Sequence, residues 1–368
     1  MKNFYLLFLT FLLLSCNGKK TYTDLSKADY IIEVNEKDFS KTNKLSELID
    51  SIEYIPLETS KNCLIGRVDK IKWYNDNIYV YDEIAQTVFL FNINGEFISK
   101  YDKTGKGPYE YIELNDIDID SKGNCYLLET RKIIKLDNAL NPIEEIQLPF
   151  GTLRFAIHDE NIILVNYGME DEIHILTSNG KEITSYFPYW ETERNVSLKP
   201  FIKYGSELFY QPIHKDNIYK ISFDSVSLHT KIIFEKPLPE EFWIKNNDMY
   251  KYPGMYIMNG VYIYCENESF IIFNFSYDTK QYDGPYYVLY SKKSGKSVIY
   301  TNEIENDCYL SKYPPFIDEI TEDGRFIAVI DASFFSEAMK NNQSSPIGGY
   351  EVTEMSNPVI ALIKFKEF

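Results

Sequence analysis

The feature that most constrains the fold is a pair of tight turns that recurs along the chain with a nearly constant internal spacing. Six first turns, each before an apolar run, are centred on Asp76, Gly123, Asp159, Gly205, Asn267 and Gly324. Five second turns are centred on Gly95, Asn141, Gly180, Asp224 and Gly295, and four of them lie 18 to 21 residues after the first turn. Asn-Gly and Ser-Gly supply the positive φ angles that two-residue hairpins need. The spacing predicts a repeating unit of four antiparallel strands, the blade of a β-propeller.

The sixth unit is one strand short, and this predicts how the ring closes. Its last apolar runs are Phe326–Ile330 and Val359–Phe365, whereas Ile52–Leu57 alternates like a strand and belongs to no complete unit. Adding this strand to the last blade would also remove an exposed sheet edge. We therefore predict an all-β fold: a six-bladed β-propeller over residues 45–368, closed by an N-terminal strand in the last blade. A β-sandwich, or an eight-stranded barrel with an appendage, is the alternative.

Two inserts lengthen the predicted propeller, near residues 236–254 and 336–357. The first contains several aromatic residues, including Trp243. Long loops on a rigid scaffold are common places for binding, so we take Trp243 as a candidate ligand contact. The alternative is that each insert caps a channel mouth or a blade edge.

The N-terminus predicts export and a lipid anchor. Lys2 precedes an apolar stretch, Phe4–Leu14, which is too short to span a bilayer comfortably but suits a secretory signal over residues 1–15. The segment LLSC (13–16) resembles the bacterial lipobox, in which Cys16 is acylated and becomes the mature N-terminus. Residues 16–44 are polar, carry no sustained period and are predicted to form a tether. Asn17 is not the aspartate that favours inner-membrane retention, so we expect outer-membrane attachment; an ordinary signal peptide is the alternative.

Composition limits the classes of partner. The formal net charge of −17 argues against nucleic acid and against electrostatic attachment to anionic lipid. The remaining cysteines, Cys63, Cys125, Cys265 and Cys308, have no C-x-x-C spacing and form no recognisable disulfide framework. Buried free thiols and disulfides both remain open for them.

The segment GKGPYEY (105–111) looks most like a motif. It is not a phosphate loop, because an alternating strand pattern follows it instead of a helix. It lies between two blades, and we expect Gly105 and Gly107 to adopt backbone angles barred to other residues. One interpretation is that Tyr109 and Tyr111 pack this connection while Glu110 pairs with a base such as Arg67. The other is that the loop lines a channel mouth, where Arg67, Tyr109, Glu110 and Tyr111 contact a ligand.

No motif for catalysis is visible. The four histidines, His158, His174, His214 and His229, lack metal-ligand spacing, and there is no nucleophile elbow. Asp116, Asp118 and Asp120 alternate, which places them on one face of a strand, and the glycine of a calcium loop is missing. We predict no cofactor and no metal, although a propeller could still bring distant histidines together at its axis.

Five segments carry a resemblance to a known family: IEYIPLET (52–59), IGRV (65–68), IYVYD (78–82), FLFNING (89–95) and GKGPYEY. Over about residues 45–120 the chain resembles the six-bladed β-propeller lipoproteins abundant in Bacteroidota, which are similar in architecture to NHL-repeat propellers. The resemblance implies a fold and an envelope location. It implies no reaction.

The functional hypothesis is a lipid-anchored cell-envelope protein that binds or scaffolds a glycan, a peptide or a partner protein. The alternative is a hydrolase or lyase with its active site at the axial channel. Two histidines with a carboxylate within about 4 Å at the channel mouth would favour the enzyme, whereas aromatic and neutral polar groups would favour binding. An apolar patch exposed on one face would favour a purely structural interaction module.

Overall fold

The computed structural model of the protein describes residues 25–39, 44–166, 170–188, 199–212, 216–237, 261, 264–276, 284–342 and 351–368. Within these ranges the chain is almost entirely β, and its strands form six sheets. The described residues contain one α-helix, α1 (Ala332–Asn342), and two short 3-10 helices, Glu36–Asp38 and Leu45–Glu47. No helix in this part of the chain is long and apolar enough to cross a membrane.

The first three blades follow one another along the chain. Blade 1 consists of β3 (Lys70–Tyr74), β4 (Asn77–Asp82), β5 (Thr87–Asn92) and β6 (Phe97–Tyr101). Blade 2 consists of β7 (Leu114–Ile119), β8 (Cys125–Glu129), β9 (Lys132–Leu136) and β10 (Pro142–Gln147). Blade 3 consists of β11 (Arg154–His158), β12 (Asn161–Val165), β13 (Asp171–Leu176) and β14 (Glu182–Pro188). Each is an antiparallel meander, as the turn spacing predicts.

The remaining blades include both strands from the N-terminal region. Blade 4 consists of β15 (Phe201–Tyr204), β16 (Glu207–Tyr210), β17 (Asn217–Ile221) and β18 (Val226–Phe234), with β1 (Tyr30–Val34) added at its edge. Blade 5 consists of β19 (Tyr264–Glu266), β20 (Phe270–Ser276), β21 (Pro285–Ser291) and β22 (Lys296–Thr301). Blade 6 consists of β23 (Ile317–Ile320), β24 (Phe326–Ile330), β25 (Val359–Phe365) and β2 (Ile49–Pro56). The six-bladed prediction is confirmed.

Strand β2 closes the ring. It pairs antiparallel with β25, so that Ile52 lies opposite Ile363 and Pro56 opposite Val359. Ile55 is buried in a cluster that also contains Ile360 of this blade. The predicted closing strand is therefore confirmed, and it starts three residues earlier than the alternating pattern indicated. Hydrogen bonds between the two ends of the chain replace what would otherwise be two free sheet edges.

The propeller has two distinct faces. The first strand of each blade is innermost, and neighbouring first strands contact each other, as β3 does with β7 and β23. We call the side that carries the hairpins between first and second strands the hairpin face. The opposite side, which carries the connections between blades and the loops between second and third strands, is the crossing face. Middle strands such as β4 are almost wholly buried because blades stack on both of their surfaces.

The predicted tether is wrong for Tyr30–Val34, which forms β1. This strand pairs in parallel with β18, and Ile32 and Val34 are buried against blade 4. Its neighbour Phe39 contacts the rings of Phe275 and Tyr286 on blade 5. A five-residue strand is too short to show a period, and it is stabilised by the sheet edge it covers. The predicted signal peptide and Cys16 lie outside the described residues.

His229 fixes the start of this added strand. Its Nδ1 lies 2.9 Å from Asp29 Oδ2, just before β1, and its Nε2 lies 2.9 Å from Glu266 Oε2 on blade 5. The Tyr30 ring packs edge-on against the imidazole with centroids 5.3 Å apart. Because the histidine and Glu266 are buried, these contacts replace hydrogen bonds to water and join β1 to blades 4 and 5.

The predicted inserts are only partly described. Residues 238–260, which include Trp243, lie outside the described residues. The second insert begins with α1, which starts at Ala332 before the predicted limit of residue 336. Cys63, Cys125, Cys265 and Cys308 are free thiols, and the first three are buried.

Candidate functional site

A cavity of about 590 Å³ opens on the hairpin face beside the propeller axis. Its walls come from the first strands of blades 1, 2, 3, 4 and 6 and from the hairpins that follow them. The innermost strands of a propeller converge there, so side chains that are distant in sequence meet. We call this cavity the axial pocket.

The floor of the axial pocket is a chain of four charged side chains. Lys72 donates to Glu319 Oε2, and its Nζ lies 3.6 Å from Asp118 Oδ1. Lys203 donates to the other oxygen of Asp118 and to the carbonyl of Ile119 at 3.0 Å. We call Lys72, Asp118, Lys203 and Glu319 the axial quartet.

Further ion pairs lie on these first strands or directly beside them. Lys70 Nζ lies 2.7 Å from Asp116 Oδ1, and Lys199 Nζ lies 2.6 Å from Asp318 Oδ1. Together with the axial quartet, these pairs comprise four lysines and four carboxylates. The positive and negative charges are equal in number. Attraction between them offsets the free-energy cost of removing them from water.

The local sequence explains why these charges face the axis. In β3, Lys70 and Lys72 alternate with the buried Ile71, and in β7 Asp116 and Asp118 alternate with the buried Ile117. Alternation directs the apolar residues between blades and the charged ones inward. The prediction that the aspartates share one strand face is confirmed for Asp116 and Asp118, which both bond to lysines.

Backbone donors complete the environment of Asp118. Its Oδ2 accepts a hydrogen bond of 2.7 Å from the amide of Ile157 on blade 3. Burial opposes ionisation of this carboxyl, but Lys203, Lys72 and Lys70 outweigh it and lower its pKa to about 2. The carboxylate thus stays charged and joins blades 1, 2, 3 and 4.

The two lysines of the quartet respond differently to burial. For Lys72, burial favours the neutral amine, but Glu319 and Asp118 outweigh it and raise the pKa. For Lys203, burial exceeds the attraction of Asp118, and the pKa is lowered. Two carboxylates near Lys72, against one near Lys203, account for the difference.

The mouth of the pocket combines tyrosines with paired charges. Tyr74 donates to the carbonyl of Ser121 at 3.1 Å, and Tyr126 donates to Asp120 Oδ2 at 3.1 Å. Lys135 lies over the Tyr126 ring, 5.3 Å from its centroid. At the rim, Lys122 forms an exposed ion pair with Glu160. These groups offer ring surfaces and hydrogen-bonding groups, and the described lining of the whole pocket holds eight carboxylates against four lysines.

His158 is the one described histidine that lines the pocket. Its Nε2 lies 3.4 Å from Asp159 Oδ2, and burial lowers its pKa despite that carboxylate. His174 and His229 are bound by other partners elsewhere in blades 3 and 4, and His214 lies outside the described residues. In the described ranges no group of three or more His, Cys, Asp or Glu side chains could hold a metal ion.

The segment 105–111 lies on the crossing face, opposite the axial pocket. Tyr111 is fully buried, and its hydroxyl donates to the carbonyl of Gln86. Glu110 Oε2 accepts a 2.6 Å hydrogen bond from the Gly107 amide and closes the loop on itself. Tyr109 donates its amide to Glu145 at 2.9 Å. These contacts support the packing interpretation; ligand contact by Tyr109, Glu110 and Tyr111 stays a prediction.

Two expectations about this loop are wrong. Gly105 and Gly107 do not adopt positive φ; Tyr109 does, at 58°. A Cβ on Gly105 would lie 2.0 Å from Glu110 Oε2, so a larger residue there would displace this carboxylate from its place in the loop. Nor does Glu110 pair with Arg67, which bonds to Asp69 at 2.6 Å and to Glu83 at 2.8 Å. Ligand contact by Arg67 or Trp243 is untested.

Sequence reasoning missed the lysines and Glu319. A usable signal was present: the strand before each first turn carries charged residues, as in KIK (70–72), DID (116–118) and DE (318–319). A charged side chain in an innermost strand needs an oppositely charged partner on another blade. The charged residues of all innermost strands should therefore be compared with one another.

Comparisons with known proteins agree with this architecture. Residues 29–364 match a family model described as Domain of unknown function (DUF4934). The chain belongs to this family. Among solved structures, a Bacteroides fragilis protein described as exported is 18% identical, with a TM-score of 0.75 over 92% of this chain and 100% of its own. A DUF4221 member from Bacteroides vulgatus is 12% identical, with a TM-score of 0.50 over 89% of this chain and 100% of its own. No curated protein matches.

These likenesses show the fold of the DUF4934 chain. The six-bladed propeller implied by the sequence resemblance is confirmed. The lipoprotein and NHL-like parts of that resemblance stay predictions.

The low pKa of Asp118 predicts an acid-dependent loss of stability. Its folded-state pKa of about 2 lies below the ordinary value of 3.8, so its stabilisation is present above pH 4 and is lost as pH falls toward 2. The loss should amount to about 2 kcal/mol. Urea unfolding at about pH 4, 3 and 2 should show a smaller decrease in unfolding free energy for Asp118→Asn than for the wild type. Parallel decreases would contradict the proposed role of this carboxylate.

Proposed function

We propose that this protein is an envelope binding protein that holds a saccharide in the axial pocket. The observation that carries the proposal is the pairing of tyrosine surfaces at the mouth with a fully paired polar floor. Tyrosine offers a flat apolar surface and a hydroxyl, and a few fixed polar groups give orientation. Sugar rings present complementary C–H surfaces and hydroxyl groups.

The floor gives less support to a peptide ligand. Peptide recognition commonly uses an exposed sheet edge or pockets for apolar side chains. The axial pocket is bounded below by charged side chains, and the first strands that line it lie at the centre of the ring. A polyhydroxylated ligand suits these surroundings better.

The hydrolase or lyase alternative receives less support from the site. The described part of the pocket contains His158 but not the second histidine that the enzymatic arrangement would need. Glycoside hydrolysis needs a carboxylic acid with a raised pKa, whereas lysines lower that of Asp118. Glu319 is bound to Lys72. Asp118 is thus held as an ion, and Glu319 is occupied by its ion pair with Lys72.

A scaffold role would use the crossing face. Several large apolar side chains on that face are exposed: Leu64, Ile84, Ile112, Leu153, Phe316 and Met355. They lie on connections between blades or on loops between strands, away from the axial pocket. A partner protein bound there would leave the pocket accessible, so scaffold and saccharide binding are compatible in one molecule.

We further propose that the protein is exported and attached to the outer membrane through acylated Cys16. Support comes from the charged start, the short apolar run and the lipobox-like LLSC segment. The similar Bacteroides fragilis protein is also described as exported. Two or more acyl chains hold a soluble domain on a membrane where one chain does not.

The anchor proposal predicts that substitution of Cys16 changes the cell fraction in which the protein is found. Cys16→Ser should leave the chain unacylated and move it from the membrane fraction to the soluble fraction of cells. Cys308→Ser, which changes a partly exposed thiol within the propeller, is the matched control and should remain with the membrane. Membrane association of Cys16→Ser equal to the wild type would contradict lipid attachment at this residue.

The saccharide proposal predicts that blocking the pocket abolishes binding. Ser206 lies at the mouth on an exposed hairpin, so Ser206→Trp should fill the entrance without disturbing the core. We expect an array of neutral oligosaccharides to identify a ligand for the whole protein. Calorimetry should then show affinity reduced at least about tenfold in Ser206→Trp.

Ser294→Trp is the matched control for this experiment. Ser294 lies on an exposed hairpin of blade 5 and does not line the pocket, so its substitution should leave affinity unchanged. Equal affinity in both variants would place the ligand elsewhere. Absence of binding to every saccharide would overturn the proposal.

A further inference from the structure

The axial quartet has no excess charge. Lys72 and Lys203 supply two positive charges, and Asp118 and Glu319 supply two negative ones. The quartet alternates in sign, from Glu319 through Lys72 and Asp118 to Lys203. At the mouth, Lys135 Nζ likewise lies 3.5 Å from Glu144 Oε1. A ligand group that reaches this floor therefore meets paired charges, while the excess carboxylates lie in the rest of the pocket lining.

Burial makes this balance relevant to recognition. The side chain of Asp118 is 3% exposed and that of Lys203 is 24% exposed, so the floor is accessible mainly through the lysine. A charged ligand group placed here would lose its water and find no unpaired opposite charge. To gain one, it would have to displace a quartet member, which would leave that member buried and unpaired.

An uncharged hydroxyl meets a more favourable environment. An ammonium group has three N–H donors, and Lys203 uses two of them, on Asp118 and on the Ile119 carbonyl. Asp118 Oδ1 lies 3.6 Å from Lys72 Nζ, beyond hydrogen-bond distance. A hydroxyl can accept from the remaining lysine donor or donate to a carboxylate oxygen without breaking an ion pair.

From this arrangement we propose that the axial pocket selects uncharged sugar rings over uronates. The inference rests on the proposed saccharide function and adds the chemical class of the sugar. The specificity-determining residues are the four members of the axial quartet. Their role in recognition is to present hydrogen-bonding groups with zero net charge.

The first test compares matched sugars. Tetrasaccharides of the gluco, manno and galacto series, each as neutral hexose, uronate and 2-amino sugar, are titrated into the whole protein. We expect a neutral tetramer to bind at least about tenfold more tightly than its uronate counterpart. The amino sugars serve as cationic probes for the Lys203 variant. Binding of a uronate as tightly as its neutral counterpart, or more tightly, overturns this inference alone. Failure of all nine probes overturns the saccharide function itself.

The second test changes the charge of the floor. Glu319→Gln is nearly isosteric and leaves the quartet with one excess positive charge, so the preference for the neutral tetramer over its uronate should shrink at least about tenfold. Lys203→Gln leaves one excess negative charge and should instead improve the relative binding of the amino sugar. Opposite shifts in two variants cannot result from a general loss of structure.

The control for this test is Glu337→Gln. It makes the same change in total charge on an exposed position of α1, away from the axial pocket. It should leave the ratio of neutral to uronate affinity at the wild-type value. A ratio that changes equally in Glu337→Gln and Glu319→Gln, or that changes in neither, would show that the quartet does not set specificity.

Discussion

The arrangement depends on the pairing of charges where the six blades converge. Innermost strands in a propeller have neighbours on all sides and little room for water, so a charged residue there must find its counter-ion on another blade. Lys72 joins blade 1 to blades 2 and 6, and Lys203 joins blade 4 to blade 2. The same contacts fix the relative positions of the blades and form the floor of the axial pocket.

The two faces of the propeller differ in what they carry. On the crossing face, Tyr111 and Glu110 are occupied in closing a connection between blades, and exposed apolar residues lie on the surrounding loops. On the hairpin face, short turns leave the axis open and the axial pocket forms. The segment that most resembled a motif therefore lies opposite the cavity. Its glycines accommodate the Glu110 carboxylate that folds back on the loop.

Much of the fold could be predicted because each blade is local in sequence. Turn residues recur with the meander, and the unpaired run at Ile52 identified the closing strand. Strand β1 could not be predicted, because five residues are too few to show a period. Its pairing partner is also distant in sequence: the contact between Asp29 and His229 at the start of this strand spans 200 positions. The charged residues of the axial quartet are visible in the innermost strands, but their pairing could not be predicted, because Lys72 and Glu319 are 247 residues apart. Asp118 could be assigned to a strand face from the sequence. Its partners could not be predicted, because they lie on other blades and meet Asp118 only when the propeller closes.

The energetic coupling between Lys72 and Glu319 tests the central claim most directly. A double-mutant cycle of Lys72→Met and Glu319→Gln, measured by urea unfolding at neutral pH, isolates their interaction from other effects of each substitution. If charge pairing at the axis holds the blades and the pocket floor in place, the coupling free energy should be about 2 kcal/mol. A coupling within about 0.5 kcal/mol of zero, the additive result for independent sites, would contradict the account.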